Sequence, residues 1–246
     1  MTKILIFFLL LLNLILLYFL NKKKIKNFFY KSKIQSVNLD QLNKIFINQK
    51  IDNNLHGPKQ DVIVKNFCIP HNNNIVGMTS DYEAWIISSL SKISKSIFEF
   101  GTCSGKTTYL MALNSPENAE IISLTLKPEN LKDVKKNFKD NKVSFRNIIN
   151  ESIYSKFLFS GTKYEDKIKI IFENSVNFNE SKFLNKFDLI FIDGGHTYSI
   201  VKNDSEKSFK MLKSNGIILW HDFVPGKESA RNVVKYINEV SKEKKI

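Results

Sequence analysis

Residues 96–107 read Ser96-Ile97-Phe98-Glu99-Phe100-Gly101-Thr102-Cys103-Ser104-Gly105-Lys106-Thr107. A short apolar run ends in a tight loop of small residues, and a helix-compatible segment follows, so the pattern predicts strand, loop and helix. Upstream, Thr79-Ser80-Asp81 can cap a helix from Tyr82 to about Lys92. Downstream the alternation continues. It predicts a helix at Lys106–Leu113, a strand at Glu120–Leu126, a proline-led helix at Pro128–Phe138 and a strand at Ile168–Phe172. Then come a strand at Phe187–Asp193, a helix at Tyr198–Leu212, a strand at Gly216–His221 and a helix at Glu228–Lys242. Apolar strands that alternate with helices imply an α/β fold, a Rossmann-like doubly wound, mostly parallel sheet. Ligands of such sheets sit beyond the carboxyl ends of the strands, where Gly101, Gly105, Gly194 and Gly195 gather although the chain has only nine glycines.

With 246 residues, 43% hydrophobic and 25% charged, the chain has room for one domain plus an appendage and is not globally disordered. Two cysteines, Cys68 and Cys103, make no disulfide framework and suit a reducing compartment. Of the net charge of +13, seven lysines lie in residues 1–33, which hold no acid. The rest of the chain shows no basic stripe interleaved with aromatics, so a nucleic-acid partner is not expected. The lysines flank Ile4–Leu20, an apolar run whose only strongly polar residue is Asn13. At about 1.5 Å per residue it reaches roughly 26 Å, enough for a thin bilayer core. The charge follows the run and no small-residue cleavage site appears, which favours a single-pass signal anchor over a cleaved signal peptide. Six lysines between Lys22 and Lys33 then place the folded part on the cytoplasmic side. The expected organisation is a tip at 1–3, an anchor at 4–20, a basic stretch and Asn-rich linker at 21–78 with one short helix at Leu39–Asn48, and a domain at 79–246.

Three readings fit the glycine loop. A phosphate-cradling loop needs four residues between its glycines, and here there are three, although Lys106-Thr107 completes its ending. A plain tight turn is the second. The third is E-x-G-x-x-x-G, and here the sequence resembles the class I S-adenosylmethionine-dependent methyltransferases. The resemblance spans roughly residues 80–240. It rests on Ile97–Ala112, on Phe187–Tyr198 (FDLIFIDGGHTY) and on Asn203–Phe223, which ends in a His221-Asp222 pair. It is similar to the bacterial metal-dependent sugar and macrolide O-methyltransferases.

The resemblance implies that Glu99, Gly101, Thr102, Cys103, Ser104 and Gly105 back onto the methionyl end of the cofactor. It implies that the end of the second strand meets the ribose, where Thr125 stands in place of the usual acid. Asn174 and Ser175 would meet the adenine. Asp193 and Asp222 would hold a divalent metal, Mg²⁺ by their hard oxygens, and His196 would be the general base. His221 reads as a strand-end residue, and Tyr198 and Trp220 as packing. The fold's last two strands have no counterpart after Gly216–His221. That leaves an open edge, and with it the option of an oligomer. The expected activity is metal-assisted O-methylation of a sugar or glycan-type hydroxyl, small or lipid-linked. The alternatives are a catalytically impaired binding or scaffold protein of the same fold and, through Lys106-Thr107, a nucleotide hydrolase.

Overall fold

The computed structural model describes residues 53–54, 57–58, 61–69, 74–75, 79–133, 137–138, 140 and 142–244. The expected anchor, basic stretch and linker helix lie outside them. Among the described residues, no helix is long and apolar enough to cross a membrane. The chain divides into two compact units, Val37–Ile237 and Met1–Ser36 with Asn238–Ile246. In the second unit only residues 238–244 are described, and 238–243 form the end of the last helix.

In the larger unit, five parallel strands form one sheet: β1 (Ser96–Phe100), β2 (Glu120–Thr125), β3 (Ile168–Phe172), β4 (Phe187–Ile192) and β5 (Leu212–Trp220). Their order is β3-β2-β1-β4-β5. The helices are α1 (Asp81–Lys92), α2 (Lys106–Asn114), α3 (Lys142–Glu151), α4 (Tyr198–Met211) and α5 (Arg231–Glu243). Two-residue ladders pair Asn53–Asn54 with Gly57–Pro58 and Cys68–Ile69 with Asn74–Ile75. Among the described residues no strand follows β5, as the sequence leads one to expect.

Each central strand is apolar on both faces, and its side chains alternate between two cores. Ile97, Ile121, Leu189 and Phe191 face α1 and α2, packing with Ile87, Leu90 and Met111. Phe98, Phe100, Ile122, Leu124, Ile190 and Ile192 face the other way, against Phe178 and Met211. Full burial of one such side chain contributes about 1.5–3 kcal/mol, so the sheet needs cover on both sides. α1 starts where the sequence places its cap. Ser80 Oγ accepts from Glu83 N at 3.2 Å, and Glu83 Oε2 accepts from Ser80 N at 2.8 Å.

Two elements differ from expectation. The segment from Pro128 forms only a 3-10 turn, Pro128–Asp133, and the α-helix comes later, at Lys142–Glu151. Phe138, at the end of the expected helix, is 91% exposed, and a short helix with little burial is marginal. Strand β5 begins at Leu212, four residues ahead of Gly216. Its polar start, Lys213 to Asn215, is exposed, and Lys213 Nζ pairs with Asp188 Oδ1 of β4 at 2.7 Å.

Candidate functional site

The sheet order reverses between β1 and β4, so the loops after these two strands diverge and open a crevice at the carboxyl edge. The loop after β1 fits there because it has glycine where the backbone crowds. Gly101 has φ +95°, and a Cβ on it would lie 2.2 Å from the Asp193 carbonyl oxygen. Gly105, at φ +81°, opens α2, and its missing Cβ makes room for the ring of Phe159 and the Cβ of Phe157. Between them Cys103 holds φ 45°.

Beneath this loop Glu99 is fully buried. Thr107 donates to its Oε1 at 2.5 Å, and Ser123 (2.6 Å) and Thr108 donate to its Oε2. Thr102 Oγ1 lies 2.6 Å from Ser123 Oγ and extends the nest. Burial raises the Glu99 carboxyl from 4.5 to about 7, against the pull of these hydroxyls.

The crevice is a narrow cleft that opens to solvent at this edge. Gly101 and Cys103 form one wall, Thr125 and Leu126 the floor at the end of β2, and Asn174 and Ser175 the far wall. Asp193, Gly194 and Gly195 close it from β4, with Ile148 and Glu151 of α3 and Asp204 of α4. Asn174 Oδ1 is already engaged, accepting from Val176 N at 3.0 Å. Burial raises the Cys103 thiol to about 11.

Beside the cleft mouth, at the ends of β4 and β5, lies a cluster of acids and histidines. His196 Nε2 is 3.1 Å from Asp222 Oδ2 and 3.8 Å from Asp193 Oδ1. His221 Nδ1 is 2.9 Å from Asp193 Oδ1 and 3.7 Å from Asp222 Oδ2, and its Nε2 is 3.6 Å from Glu83 Oε1. Asp222 sits in the left-handed region at φ 57°, a strained conformation of the kind that gathers at functional sites. Burial opposes charge on both rings, yet the carboxylates of Asp193 and Asp222 outweigh it. His221 rises to about 11, and His196 rises as well. Burial likewise opposes charge on Asp193, and the two imidazoles still hold its carboxyl below the usual range. Asp222 is held low first of all by His221.

These approaches are close in distance, but both ring nitrogens of His196 and Nδ1 of His221 are buried without a hydrogen-bond partner. Asp193, His196 and Asp222 each offer one ligand atom, and the three atoms lie within 4.8 Å of one another. Two hard oxygens and an orphaned imidazole nitrogen fit a divalent cation.

The structure thus brings Gly101, Cys103, Thr125, Asn174, Ser175 and Asp193 to one cleft, with His196 and Asp222 clustered on Asp193. It places Glu99, Thr102, Ser104 and Gly105 behind the wall instead of on it. Lys106, the residue that prompted the hydrolase reading, also lies off the cleft and donates to the Thr79 carbonyl at 3.3 Å. Trp220 packs as expected, its Nε1 donating to Ser205 Oγ at 2.9 Å. Sequence reasoning missed His221 as a cluster member, Glu151, whose carboxyl burial pushes up to about 7, and Asp204. Asp204 did leave a signal. It shares a helical stripe with Val201, Ser205, Ser208 and Met211, all buried, and an acid on such a stripe calls for a partner.

Comparison with known proteins agrees with this geometry at the level of family. A family model described as a methyltransferase domain matches residues 98–223. No curated protein matches the chain. Among solved structures, an O-methyltransferase from Bacillus cereus in complex with SAH is 12% identical, with 85% of this chain and 81% of that one covered and a TM-score of 0.44. The O-methyltransferase TomG from Streptomyces achromogenes, in complex with SAM, is 9% identical, with 89% and 84% covered and a TM-score of 0.43. The SAH-bound methyltransferase PaMTH1 from Podospora anserina is 20% identical, with 68% of each chain covered and a TM-score of 0.41. The family model takes in the glycine loop, the cleft and both aspartates of the cluster, over half of the chain, and the protein therefore belongs to the methyltransferase-domain family, as an S-adenosylmethionine-dependent methyltransferase.

Proposed function

We propose that the chain methylates a hydroxyl oxygen of a sugar or glycan-type acceptor with the help of a divalent cation. The observation that carries this reading is the cluster of Asp193, His196 and Asp222 beside the glycine-loop cleft. When bound, S-adenosylmethionine supplies an electrophilic methyl group on a sulfonium, and the cation supplies Lewis acidity that lowers the pKa of the acceptor hydroxyl. Gly101 and Cys103 offer backbone to the methionyl end, Thr125 a hydroxyl to the ribose, and Asn174 and Ser175 the wall for the base. Asp193 and Asp222 would hold the cation. His196 Nε2 serves one of two ends, as third ligand or as acceptor of the proton that leaves the hydroxyl. The new oxygen–carbon bond forms as the carbon–sulfur bond breaks, and alignment accounts for much of the acceleration.

We further propose that residues 4–20 anchor the chain with this domain on the cytoplasmic side, which suits a lipid-linked acceptor. Thr125, with one hydroxyl where a bidentate carboxylate would bind more strongly, favours a second reading, a scaffold of the same fold.

The test uses the full chain in detergent. S-adenosylmethionine and ATP are titrated by calorimetry with and without Mg²⁺, and release of S-adenosylhomocysteine is followed over a panel of sugars and lipid-linked glycans. Cofactor binding near 100 µM or tighter together with Mg²⁺-dependent turnover is the expected result. Binding without turnover on any acceptor, or binding of neither ligand by folded protein, overturns the enzyme reading and supports the scaffold, and binding of ATP alone favours a nucleotide hydrolase. Loss of cation binding in His196→Ala assigns His196 as a ligand, whereas loss of turnover alone assigns it as the base. A reporter fused after Ile246 checks the orientation, and an external signal overturns it.

A further inference from the structure

The loop after β3 makes the far wall of the cleft, yet it lies at the surface and Val176 on it is 53% exposed. Something must hold it. Within the loop, Asn174 Oδ1 takes Val176 N, and the Asn174 carbonyl accepts from Asn177 N at 2.9 Å and Phe178 N at 3.0 Å. This folds the segment into a tight turn whose later carbonyls point toward α4. Three residues of α4 meet them. Lys207 is buried, and its Nζ donates to the carbonyls of Ser175, Val176 (3.1 Å) and Phe178 (2.6 Å). Asn203 Nδ2 donates to the Ser175 carbonyl at 3.0 Å and to Asp204 Oδ1 at 2.8 Å. Asp204, buried and lining the cleft, accepts from Asn203 and stands beside the Ser175 side chain. The offsets of these residues, i, i+1 and i+4, put them on one side of the helix.

An ammonium group has three donors, and Lys207 spends them on three carbonyls of one short loop. No surface ion pair would require that burial. We infer that Asn203, Asp204 and Lys207 are positioning residues, a clamp that fixes the Asn174–Phe178 loop so that Ser175 stands at one place against the base of the methyl donor. This rests on the cofactor reading proposed above. It makes the base subsite depend on residues of α4 and moves the recognition task from Asn174, whose carbonyl is spent inside the turn, to the Asp204–Ser175 pair.

The test measures the affinity of the full chain for S-adenosylhomocysteine and for S-inosylhomocysteine, which carries a carbonyl where adenine has its amine. The wild-type chain should prefer the first. Lys207→Met, which keeps the length and apolar stem, should weaken S-adenosylhomocysteine roughly 10- to 100-fold and shrink the preference between the two probes. Asp204→Asn should shrink the preference most. Asn203→Ala removes a half-buried side chain at small cost to the fold and should act in the same direction by roughly 3-fold. A general loosening of the fold would weaken both probes alike and leave their ratio unchanged. The clamp is overturned if Asn203→Ala, and those of the other variants that fold, keep the wild-type affinity or the wild-type ratio. Failure of the folded wild-type chain to bind either probe overturns the cofactor reading and the clamp with it.

Discussion

A buried carboxylate and a half-buried pair stand at the same edge of one sheet, and they are provided for in opposite ways. Glu99, on β1, receives three hydroxyl hydrogen bonds from α2 and β2 and is sealed from solvent. Asp193 and Asp222, at the ends of β4 and β5, share two imidazoles, three of whose nitrogens lack a hydrogen-bond partner. The first group has its needs met inside the fold and so belongs to the architecture. The second has donors and acceptors crowded together with poor angles, an arrangement that costs stability unless something enters it. Sequence motifs treat both groups alike, as acids beside a glycine loop, and only their partners tell them apart.

The comparison can be broken most directly at the second group. Asp193→Ala or Asp222→Ala should weaken Mn²⁺ binding by roughly 100-fold or more and abolish turnover. Paramagnetic titration of the full chain reads the metal, and retained affinity would put the cation elsewhere. The next largest effect lies at Glu99. A carboxyl that titrates near 7 when folded and near 4.5 when unfolded holds its proton more tightly in the folded state. Stability is therefore greatest below about pH 4.5 from this group's contribution and is lost as pH rises through about 7, by on the order of 3 kcal/mol. Urea denaturation of wild type and Glu99→Gln at pH 5 and pH 8 should show the variant losing less on the alkaline side, with Mn²⁺ binding unchanged. The smallest effect sharpens the contrast. Thr107→Val removes one donor from the same carboxylate without changing its shape and should cost about 1–2 kcal/mol, read as a lower urea midpoint, again with no effect on the metal.

The architecture was legible where burial and local chemistry agree. Strands β1 and β3 have the bounds read from the sequence because their apolar runs stop at turn residues, Gly101 in one case and Glu173-Asn174-Ser175 in the other. A polar strand start and a 3-10 turn were not legible. Lys213–Asn215 reads as loop but lies within an edge strand, at the break in its register with β4, and the segment after Pro128 turns as a 3-10 helix over Pro128–Asp133. At the site, Asp193, His196 and Asp222 were visible because they follow strand ends directly. His221 was discounted because a histidine at a strand end has many structural uses, and its role appears only when Asp193 and Glu83 are seen on either side of its ring. Glu151 belongs to a helix the sequence did not reveal, so nothing pointed to it.

The contact between Gly101 and Asp193 has a mechanical consequence. The Asp193 amide donates to the Phe100 carbonyl at 2.9 Å, and the Asp193 carbonyl occupies the space a side chain on residue 101 would need. The glycine loop, the proposed seat of the methyl donor, and Asp193 of the acid–histidine cluster are thus joined back to back through their main chains. A tilt in one transmits to the other, so under the proposed reading the distance the methyl group would cross is set by a joint in the main chain that side-chain rearrangement does not reach.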